Sequence, residues 1–600
     1  MFKSLIKIKE LLDKRTKKQF GLLFIAILIK SFLDSFGLGM IGPYVAAISN
    51  SAIIFNNKYF IMMNEYLNIQ NNKELIFYMS TFMICFFILK NLFTIFVVYF
   101  QSRLIFSKRS KQGRALFEAY MKAPYSYHLN HNSSELDRNI RFESTHVYGF
   151  IERFFVLFSN TIFTIFVFLV LLIANWQAVI SMGIFIIIFS SIFLFFTRDY
   201  SKKLGKNVQE SQLDIGQSLN EGLSSIIEAK LHKIENFFPD KYFKYMMVNA
   251  KANWRQTTMT ATPALFFEII AVGTLVSVII FLSINDTDIN SALPIIGLFS
   301  FAFIRLIPTV TAAIKSIQDI KFLIPAVDVI HSDFNNLNQL NKDVYLKNIN
   351  NEEINFKSLE LKNVSFAFKN DKNNSNVINN ISFTIKKGEA IGINGPSGSG
   401  KTTLINMILG LLEPSSGELF INEVDIKKNM NNWRSMVGYV PQSITLIDAS
   451  IKNNVALGLN ENEIDDEKVL SVLKEANLDE LVNDFPEGLN TFIGENGVRL
   501  SGGQRQRLGI ARALYRNAKF MIFDEATSAL DTETEKKITS EIMKLSGNRT
   551  LVIIAHRIST IKDCDTIHYL KSGEIMNSGN FEELMILNQD FKNATMEVIN

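Results

Sequence analysis

Cysteine, proline and charged residues are all scarce in this sequence. Only two of the 600 residues are cysteines, which excludes a disulfide-stapled scaffold and a multi-cysteine zinc module. The 11 prolines and 30 glycines are too few for a collagen-like or low-complexity chain. Charged residues make up only 20% of the chain and hydrophobic residues make up 48%, which excludes a disordered protein. A mean hydropathy of +0.15 also argues against a purely soluble enzyme.

Charge and hydrophobicity are distributed unevenly along the chain. Long apolar runs fill the first part and are absent from the second. Residues 1–340 carry 33 Lys and Arg against 23 Asp and Glu, whereas residues 341–600 carry 29 against 35. A basic, apolar part followed by an acidic, mixed part indicates a membrane domain joined to a soluble domain.

Six segments are apolar enough to cross a bilayer, which takes about 20 residues per helix. These segments are Phe20–Ser49, Leu75–Phe100, Phe154–Ala174, Ala178–Thr197, Ala264–Ser283 and Ala292–Ile314. The connections at 1–18, 103–141 and 198–255 are rich in Lys and Arg, and the alternate connections are poor in both. The positive-inside rule therefore predicts a multi-pass protein with both termini in the cytoplasm.

The two inner connections, 101–152 and 198–258, are much longer than a turn requires. They are polar and compatible with helix, so we expect helical hairpins that extend into the cytoplasm and contact the soluble domain. The chain becomes polar and Asn-rich after the last apolar segment. We therefore predict a transmembrane domain at 1–325, a linker at 326–355 and a soluble domain at 356–600.

Five ionisable residues lie inside the predicted spans: Lys30, Asp34, Lys90, Glu268 and Arg305. Such residues are costly in a bilayer and usually face a cavity or a partner. Lys30 and Asp34 are one helical turn apart and can neutralise each other. Lys90 and Arg305 either extend to the membrane surface or line a cavity for an anionic substrate. We predict Lys90, Arg305 and Glu268 as substrate-cavity residues.

A phosphate-binding pattern follows the short apolar strand Ala390–Ile393. It has the form G-x-x-x-x-G-K-[ST] and precedes an apolar helix at Leu404–Leu412. Glycines let successive backbone N–H groups face a phosphate, and the helix N-terminus adds partial positive charge. Lys401 is predicted to reach the β- and γ-phosphates and the Thr402 hydroxyl to bind Mg²⁺. The residues are Gly395, Pro396, Ser397, Gly398, Ser399, Gly400, Lys401, Thr402 and Thr403.

A second apolar strand, Phe520–Phe523, ends in the two carboxylates of Asp524 and Glu525. Behind a phosphate loop, this arrangement favours Asp524 as a Mg²⁺ ligand, directly or through water. Glu525 suits the general base that polarises the attacking water. The alternative is that the two carboxylates only mark the solvated end of a strand and have no catalytic role.

Between these motifs, Leu500-Ser501-Gly502-Gly503-Gln504 resembles the signature sequence of ABC transporters. Gln442 resembles the glutamine of that family's Q-loop, Ser528–Asp531 its D-loop and His556 its switch histidine. Phe368 stands where the family usually has a tyrosine that stacks on adenine; it keeps the stacking face but lacks the hydroxyl.

The resemblance implies ATP and Mg²⁺ as cofactors and assigns the site residues. Glu525, His556 and Gln442 are expected to be catalytic, and Thr402, Gln442 and Asp524 to hold Mg²⁺. ATP is expected to contact the phosphate loop of one subunit and the signature of another. The ATP-binding set is Phe368, Gly395 to Thr403, Ser501, Gly502, Gly503 and Gln504. One complete set of motifs per chain favours a homodimer over a heterodimer.

The expected fold is an α-helical six-span transmembrane domain followed by an α/β P-loop ABC ATPase domain. This order resembles the exporter half-transporters, in which 124–136 and 219–230 would be coupling helices. The expected location is the bacterial inner membrane. We expect a lipid or glycolipid substrate and no nucleic-acid partner.

Within the exporters, the chain is similar to the flippase for lipid-linked oligosaccharides of bacterial protein N-glycosylation and to lipid A flippases. The local likenesses are Phe32–Phe36 with Pro43, an outer stretch at 50–74 long enough for an interfacial helix, and Arg305–Pro308. A lipid pyrophosphate is anionic and would suit Lys90 and Arg305. Two alternatives stay open: a multidrug or peptide exporter, which Glu268 and Asp34 would suit, and a regulator or channel that uses the ATPase without pumping.

Overall fold

The structure is a computed structural model of the 600-residue chain, and it divides into two units. It describes residues 1–49, 69, 71–174, 176–284, 289–346, 355–368, 376–526, 532–555 and 557–599. The first unit comprises Met1–Ala123 and His128–Asn341, and the second comprises Pro124–Tyr127 and Lys342–Asn600. The four residues Pro124–Tyr127 thus group with the C-terminal unit although the chain on both sides of them belongs to the first.

The described part of the first unit is helical. Its helices are α1 (Phe2–Leu11), α2 (Lys14–Gly39), α3 (Ile41–Ser49), α4 (Asn72–Lys122), α5 (Tyr125–Asn130), α6 (Ser133–Arg138), α7 (Ser144–Ala174), α8 (Trp176–Ser224), α9 (Ile226–Leu231), α10 (Phe237–Ile284) and α11 (Ile289–Leu346). A single π-helical turn, Asn139–Glu143, joins α6 to α7. Helix α5 is divided between the two units, since its first three residues, Tyr125–Tyr127, group with the second and the rest with the first.

Each predicted span lies in helix. The first occupies α2 and α3, and the others lie in α4, α7, α8, α10 and α11. By length and composition alone, and only among the described residues, three segments are apolar and long enough to cross a membrane: Lys14–Val45, Asn72–Lys122 and Ser133–Leu172. The outer stretch predicted as an interfacial helix at 50–74 lies mostly outside the described residues.

The longest helix, α11, continues beyond the membrane-spanning part. Ala326, Val327, Ile330 and Leu337 are all buried along it, at the three- and four-residue spacing of one helix face. The predicted linker at 326–355 therefore begins inside a packed helix that runs to Leu346. The Asn-rich composition indicated a linker because only a few widely spaced apolar residues mark the buried face of this helix.

A glycine allows α8 to approach α11 closely. A Cβ on Gly205 would lie 1.9 Å from the carbonyl oxygen of Phe322, so no larger residue fits there without moving a backbone. Close packing of this kind holds α8 and α11 together at this point.

The second unit contains two sheets. The strands are β1 (Ser358–Phe366), β2 (Ile378–Lys386), β3 (Ala390–Asn394), β4 (Ser416–Ile421), β5 (Val424–Asp425), β6 (Val437–Val440), β7 (Phe520–Asp524), β8 (Thr550–Ile554), β9 (Thr566–Lys571) and β10 (Glu574–Gly579). The helices are α12 (Lys401–Ile408), α13 (Met430–Met436), α14 (Ile451–Val455), α15 (Asp466–Glu475), α16 (Asp479–Asp484), α17 (Gly502–Tyr515), α18 (Thr532–Lys544), α19 (Phe581–Leu587) and α20 (Gln589–Ile599).

The larger sheet has the strand order β10-β9-β3-β8-β7-β6, and the smaller antiparallel sheet has the order β2-β1-β4-β5. Within the larger sheet, β9, β3, β8, β7 and β6 pair in parallel, and β10 pairs antiparallel with β9. Strands β3, β7 and β8 are buried along their whole length, as central parallel strands are when both faces are covered. The loops after β3, β6 and β7 therefore emerge at one edge of this sheet, where ligands bind in such folds.

Candidate functional site

The predicted phosphate loop lies between β3 and α12. Gly395, Gly398 and Gly400 have φ of +152°, +77° and +102°. A Cβ on Gly400 would lie 2.7 Å from the Ile378 side chain and 2.9 Å from the Val377 carbonyl oxygen, so only glycine fits. Nothing lies within 4 Å of a Cβ built on Gly398. The loop is thus held tightly at its base and is open at its tip.

The Lys401 side chain folds back across this loop. Its Nζ donates hydrogen bonds to the carbonyl oxygens of Gly395 (2.8 Å) and Pro396 (3.0 Å). Burial lowers the pKa of Lys401, and the carboxylates of Glu525 and Asp524 oppose that shift. An ammonium group held this way provides positive charge at the loop.

These residues fit a nucleotide phosphate. Ser399 is buried, and its hydroxyl has no hydrogen-bond partner among the described residues. Thr402, in the first turn of α12, presents an exposed side chain. The helix N-terminus and the loop N–H groups would bind phosphate oxygens, which is the chemistry that an ATP triphosphate requires. Thr402 could supply one oxygen to Mg²⁺, which takes its remaining ligands largely from phosphate and water.

Asp524 and Glu525 lie at the end of β7, as predicted. Asp524 is buried and accepts a hydrogen bond from the Tyr439 hydroxyl at 3.1 Å. Glu525 accepts a hydrogen bond from the Gln442 side-chain amide at 2.6 Å. The structure therefore brings the predicted Q-loop glutamine next to the predicted general base. In this position Gln442 orients the carboxylate of Glu525.

Glu525 has an unusual backbone. Its φ of +48° lies in the left-handed region, which is costly for a residue other than glycine. Its N–H donates to the carbonyl oxygen of Ile554 at 3.0 Å, which fixes the turn after β7 against β8. Strained backbone of this kind is often found where a side chain must be aimed at a reacting atom.

The predicted signature forms the N-terminus of α17. Ser501 is the N-cap: its hydroxyl accepts from the Gln504 N–H at 3.3 Å, and the Gln504 side chain accepts from the Ser501 N–H at 2.7 Å. This reciprocal capping box presents Gly502 and Gly503 in the first turn, with no side chain to block an approaching anion. The Gln506 side chain on α17 donates to the carbonyl oxygen of Gln442 at 3.4 Å, which ties the signature helix to the Q-loop.

Phe368 is 40% exposed, and its ring packs edge-on against Phe366 at a centroid distance of 5.0 Å. An exposed aromatic face supported from one side can stack on an adenine base. The remaining predicted site residues, His556 and the D-loop at 528–531, lie outside the described residues.

We expect Phe368→Ala to weaken ATP binding while Phe368→Tyr preserves it, because stacking on a base contributes about 1–3 kcal/mol. That range corresponds to a rise of about five- to 150-fold in the KM for ATP. Phe492→Ala, at an aromatic residue of similar exposure in the same unit, is the matched control. An unchanged KM in Phe368→Ala would show that this ring does not contact the base.

A separate pocket lies within the membrane unit. Its lining residues are Asp34, Leu38, Phe87, Lys90, Phe163 and Arg305. Lys90 is buried and forms a 2.8 Å ion pair with Asp34, and its ammonium also lies 4.8 Å from the centre of the Phe87 ring. The sequence had suggested that Asp34 pairs with Lys30; the structure pairs it with Lys90 instead. Arg305 shares the pocket, whereas Glu268 is exposed on α10 and is not among the lining residues.

Two functional contacts were not found from the sequence. The Tyr439 hydroxyl bond to Asp524 depends on the parallel pairing of β6 with β7, which no local pattern specifies. The Asp34–Lys90 pair joins two different helices. The only sequence feature that pointed to the Asp34–Lys90 pair was the rarity of charged residues in the spans, because each such charge needs a partner.

Comparisons with known proteins agree with this geometry. Residues 378–528 match the family described as ABC transporter, and residues 19–305 match the ABC transporter transmembrane region. The chain is 31% identical over 488 residues to the heterocyst differentiation ATP-binding protein HepA of Nostoc, covering 79% of this chain and 76% of that protein. It is 29% identical over 483 residues to the ATP-dependent lipid A-core flippase of Francisella tularensis, covering 79% and 77%.

A solved structure shows the same fold. It is described as a bacterial Atm1-family ABC exporter with ATP bound, and the match has a TM-score of 0.72 at 20% identity, covering 96% of this chain and 99% of the other. Together with the phosphate loop, the adjacent carboxylates and the helical membrane unit, these matches place the protein in one family. The chain belongs to the ABC transporters, as an exporter-type membrane protein in which a transmembrane domain is fused to an ATPase domain that couples ATP hydrolysis to transport.

Proposed function

We propose that two copies of this chain use ATP to move an anionic lipid, such as a lipid-linked oligosaccharide or a lipid A precursor, across the bacterial inner membrane. The observation that carries the proposal is the ion pair between Asp34 and Lys90 in the pocket of the membrane unit. An exporter of hydrophobic cations would need an available carboxylate there. With Asp34 neutralised by Lys90, Arg305 gives the three charged residues a net charge of +1.

The pocket also supports a substrate with both apolar and anionic parts. Leu38, Phe87 and Phe163 provide apolar and aromatic surface beside the charged groups. An arginine guanidinium binds phosphate with two parallel hydrogen bonds, which suits the headgroup of a phospholipid or lipid pyrophosphate. Relatives named as lipid A-core flippases agree with this substrate class.

The ATP-site roles in this proposal follow the predicted motifs. Lys401 and the loop from Gly395 to Thr403 bind the triphosphate, and Phe368 stacks on the base. Thr402, Gln442 and Asp524 would hold Mg²⁺, which would stabilise charge on the phosphates. Glu525 accepts a proton from the attacking water, and His556 completes the catalytic set. Each ATP-binding site would be completed by Ser501 to Gln504 of a second copy. The termini and both ATPase domains would lie in the cytoplasm.

The proposal is tested by substrate-stimulated ATP hydrolysis in lipid nanodiscs. An anionic polyprenyl-pyrophosphate oligosaccharide and a lipid A precursor are compared with a hydrophobic cation. We expect stimulation by an anionic lipid, and we expect Arg305→Ala to raise the half-stimulating concentration by about 10- to 150-fold, the loss of about 1.5–3 kcal/mol from a charged hydrogen bond.

Lys30→Ala is the matched control, since Lys30 is a cation in the same unit that does not line the pocket. It should leave the half-stimulating concentration unchanged. Stimulation by the cation and by neither anionic lipid would contradict the proposal and favour the multidrug or peptide exporter.

A further inference from the structure

A polar cluster with two buried members and one partly buried member joins three separate elements of the membrane unit. The Tyr120 hydroxyl on α4 donates to Oδ2 of Asp333 on α11 at 2.5 Å. The side-chain amide of Asn139, in the π-helical turn, donates to the same Asp333 oxygen at 2.9 Å and to the Tyr120 hydroxyl at 3.2 Å. One carboxylate oxygen of Asp333 thus accepts a hydrogen bond from each of two other elements.

The two hydrogen-bond donors of the cluster are enclosed, and the amide of Asn139 is held in one orientation. Tyr120 is 2% exposed and Asn139 is 1% exposed. The Arg138 guanidinium donates to the amide oxygen of Asn139 at 2.8 Å, which fixes the amide nitrogen toward Asp333. Buried polar groups are costly when a partner is removed, so this network favours one arrangement of the three elements over any partly broken one.

The position of the cluster is informative. Tyr120 lies near the end of the descending arm of the hairpin at 101–152, and Asn139 lies at the start of the ascending arm. Asp333 therefore holds both arms against α11, the helix that leads from the membrane unit toward the ATPase domain. The only π-helical turn among the described residues, Asn139–Glu143, is part of the contact, and such turns are frequent at functional sites.

The short helix α5 lies at the tip of the same hairpin. A ring nitrogen of His128 on α5 lies 3.0 Å from the carbonyl oxygen of Tyr120. The preceding residues Pro124–Tyr127 group with the ATPase unit.

We propose that Asp333 is a positioning residue for coupling: by holding Tyr120 and Asn139, it makes both arms of the first hairpin move with α11 when ATP binds. Without this contact, the two arms of the hairpin could relax separately from α11. The ATP site itself would be unaffected, because none of the three residues belongs to it. The proposal requires ATP-driven motion and does not depend on which substrate is moved.

The test is hydrogen–deuterium exchange of the full chain in nanodiscs, with and without ATP, followed by mass spectrometry. In the unmodified chain we expect ATP to slow exchange in peptides from the phosphate loop and from the hairpin at 101–152. In Asp333→Ala the phosphate-loop response should remain, while the hairpin response should fall by at least about fivefold, the lower end of typical coupling effects.

Three further variants separate coupling from folding. Asp333→Asn retains an acceptor oxygen and should restore most of the hairpin response. Tyr120→Phe removes one hydroxyl and should give a smaller loss than Asp333→Ala. Asp328→Asn is the matched control, since Asp328 is another α11 carboxylate, paired with Lys7 at 2.5 Å and partly exposed. An undiminished hairpin response in Asp333→Ala, or an equal loss in Asp328→Asn, would overturn the proposal.

Discussion

Glu525→Gln should lower the rate of ATP hydrolysis by about 10²- to 10⁴-fold, the range that a positioned general base contributes. The amide cannot take a proton from water, but it matches the carboxylate in size and can still accept the hydrogen bond from Gln442. ATP affinity should therefore be retained. The measurement is steady-state phosphate release together with equilibrium binding of ATP.

The substitution tests chemistry rather than backbone conformation. Gln has the same backbone requirements as Glu at a φ of +48°, and the N–H bond to Ile554 does not involve the side chain. Glu541→Gln, at a carboxylate in α18 paired with Lys544 at 2.7 Å, is the matched control and should hydrolyse ATP normally. Hydrolysis by Glu525→Gln within tenfold of the unmodified rate would assign the base to another group.

Asp34→Asn should destabilise the membrane unit, because it leaves the buried Lys90 without its ion-pair partner. Breaking one side of a buried pair typically costs about 3–5 kcal/mol, whereas replacing both charges is often neutral. The double variant Asp34→Asn with Lys90→Met should therefore recover most of the loss. The measurement is thermal unfolding of four proteins in the same nanodiscs: the unmodified chain, Asp34→Asn, Lys90→Met and the double variant, analysed as a double-mutant cycle.

Lys30→Met is the control for this cycle, since Lys30 is also a cation of α2 and does not line the pocket. Adding it to Asp34→Asn should not restore stability. If the double variant at 34 and 90 is no more stable than Asp34→Asn alone, the two residues are not the coupled pair described above.

The ATPase site could be predicted to a large extent from the sequence because its parts are local. The phosphate loop must follow a strand and precede a helix, and β3 lies at the predicted strand. Helix α12 (Lys401–Ile408) begins three residues before the predicted Leu404–Leu412. Asp524 likewise ends β7, and Glu525 follows it directly. Such motifs combine a backbone requirement and a side-chain requirement within a few residues, so both can be recognised in the sequence.

Contacts between distant helices could not be predicted in the same way. Asp34 has a cation one turn away, which made Lys30 the natural partner, yet it pairs with Lys90 on α4. The packing of α2 against α4 determines which cation pairs with Asp34, and the sequence of neither helix alone specifies this packing. The role of Asp333 could not be predicted either, because it lies in a polar stretch of sequence. Its two buried hydrogen-bond donors come from distant parts of the chain.

The most direct test of the proposed function is lipid movement in proteoliposomes. A fluorescent polyprenyl-pyrophosphate oligosaccharide or lipid A precursor is incorporated, ATP is added, and the lipid in each leaflet is measured over time. We predict ATP-dependent movement by the unmodified chain, none by Glu525→Gln, and slower movement by Arg305→Ala. Rapid ATP hydrolysis with no movement of either anionic lipid would contradict the account.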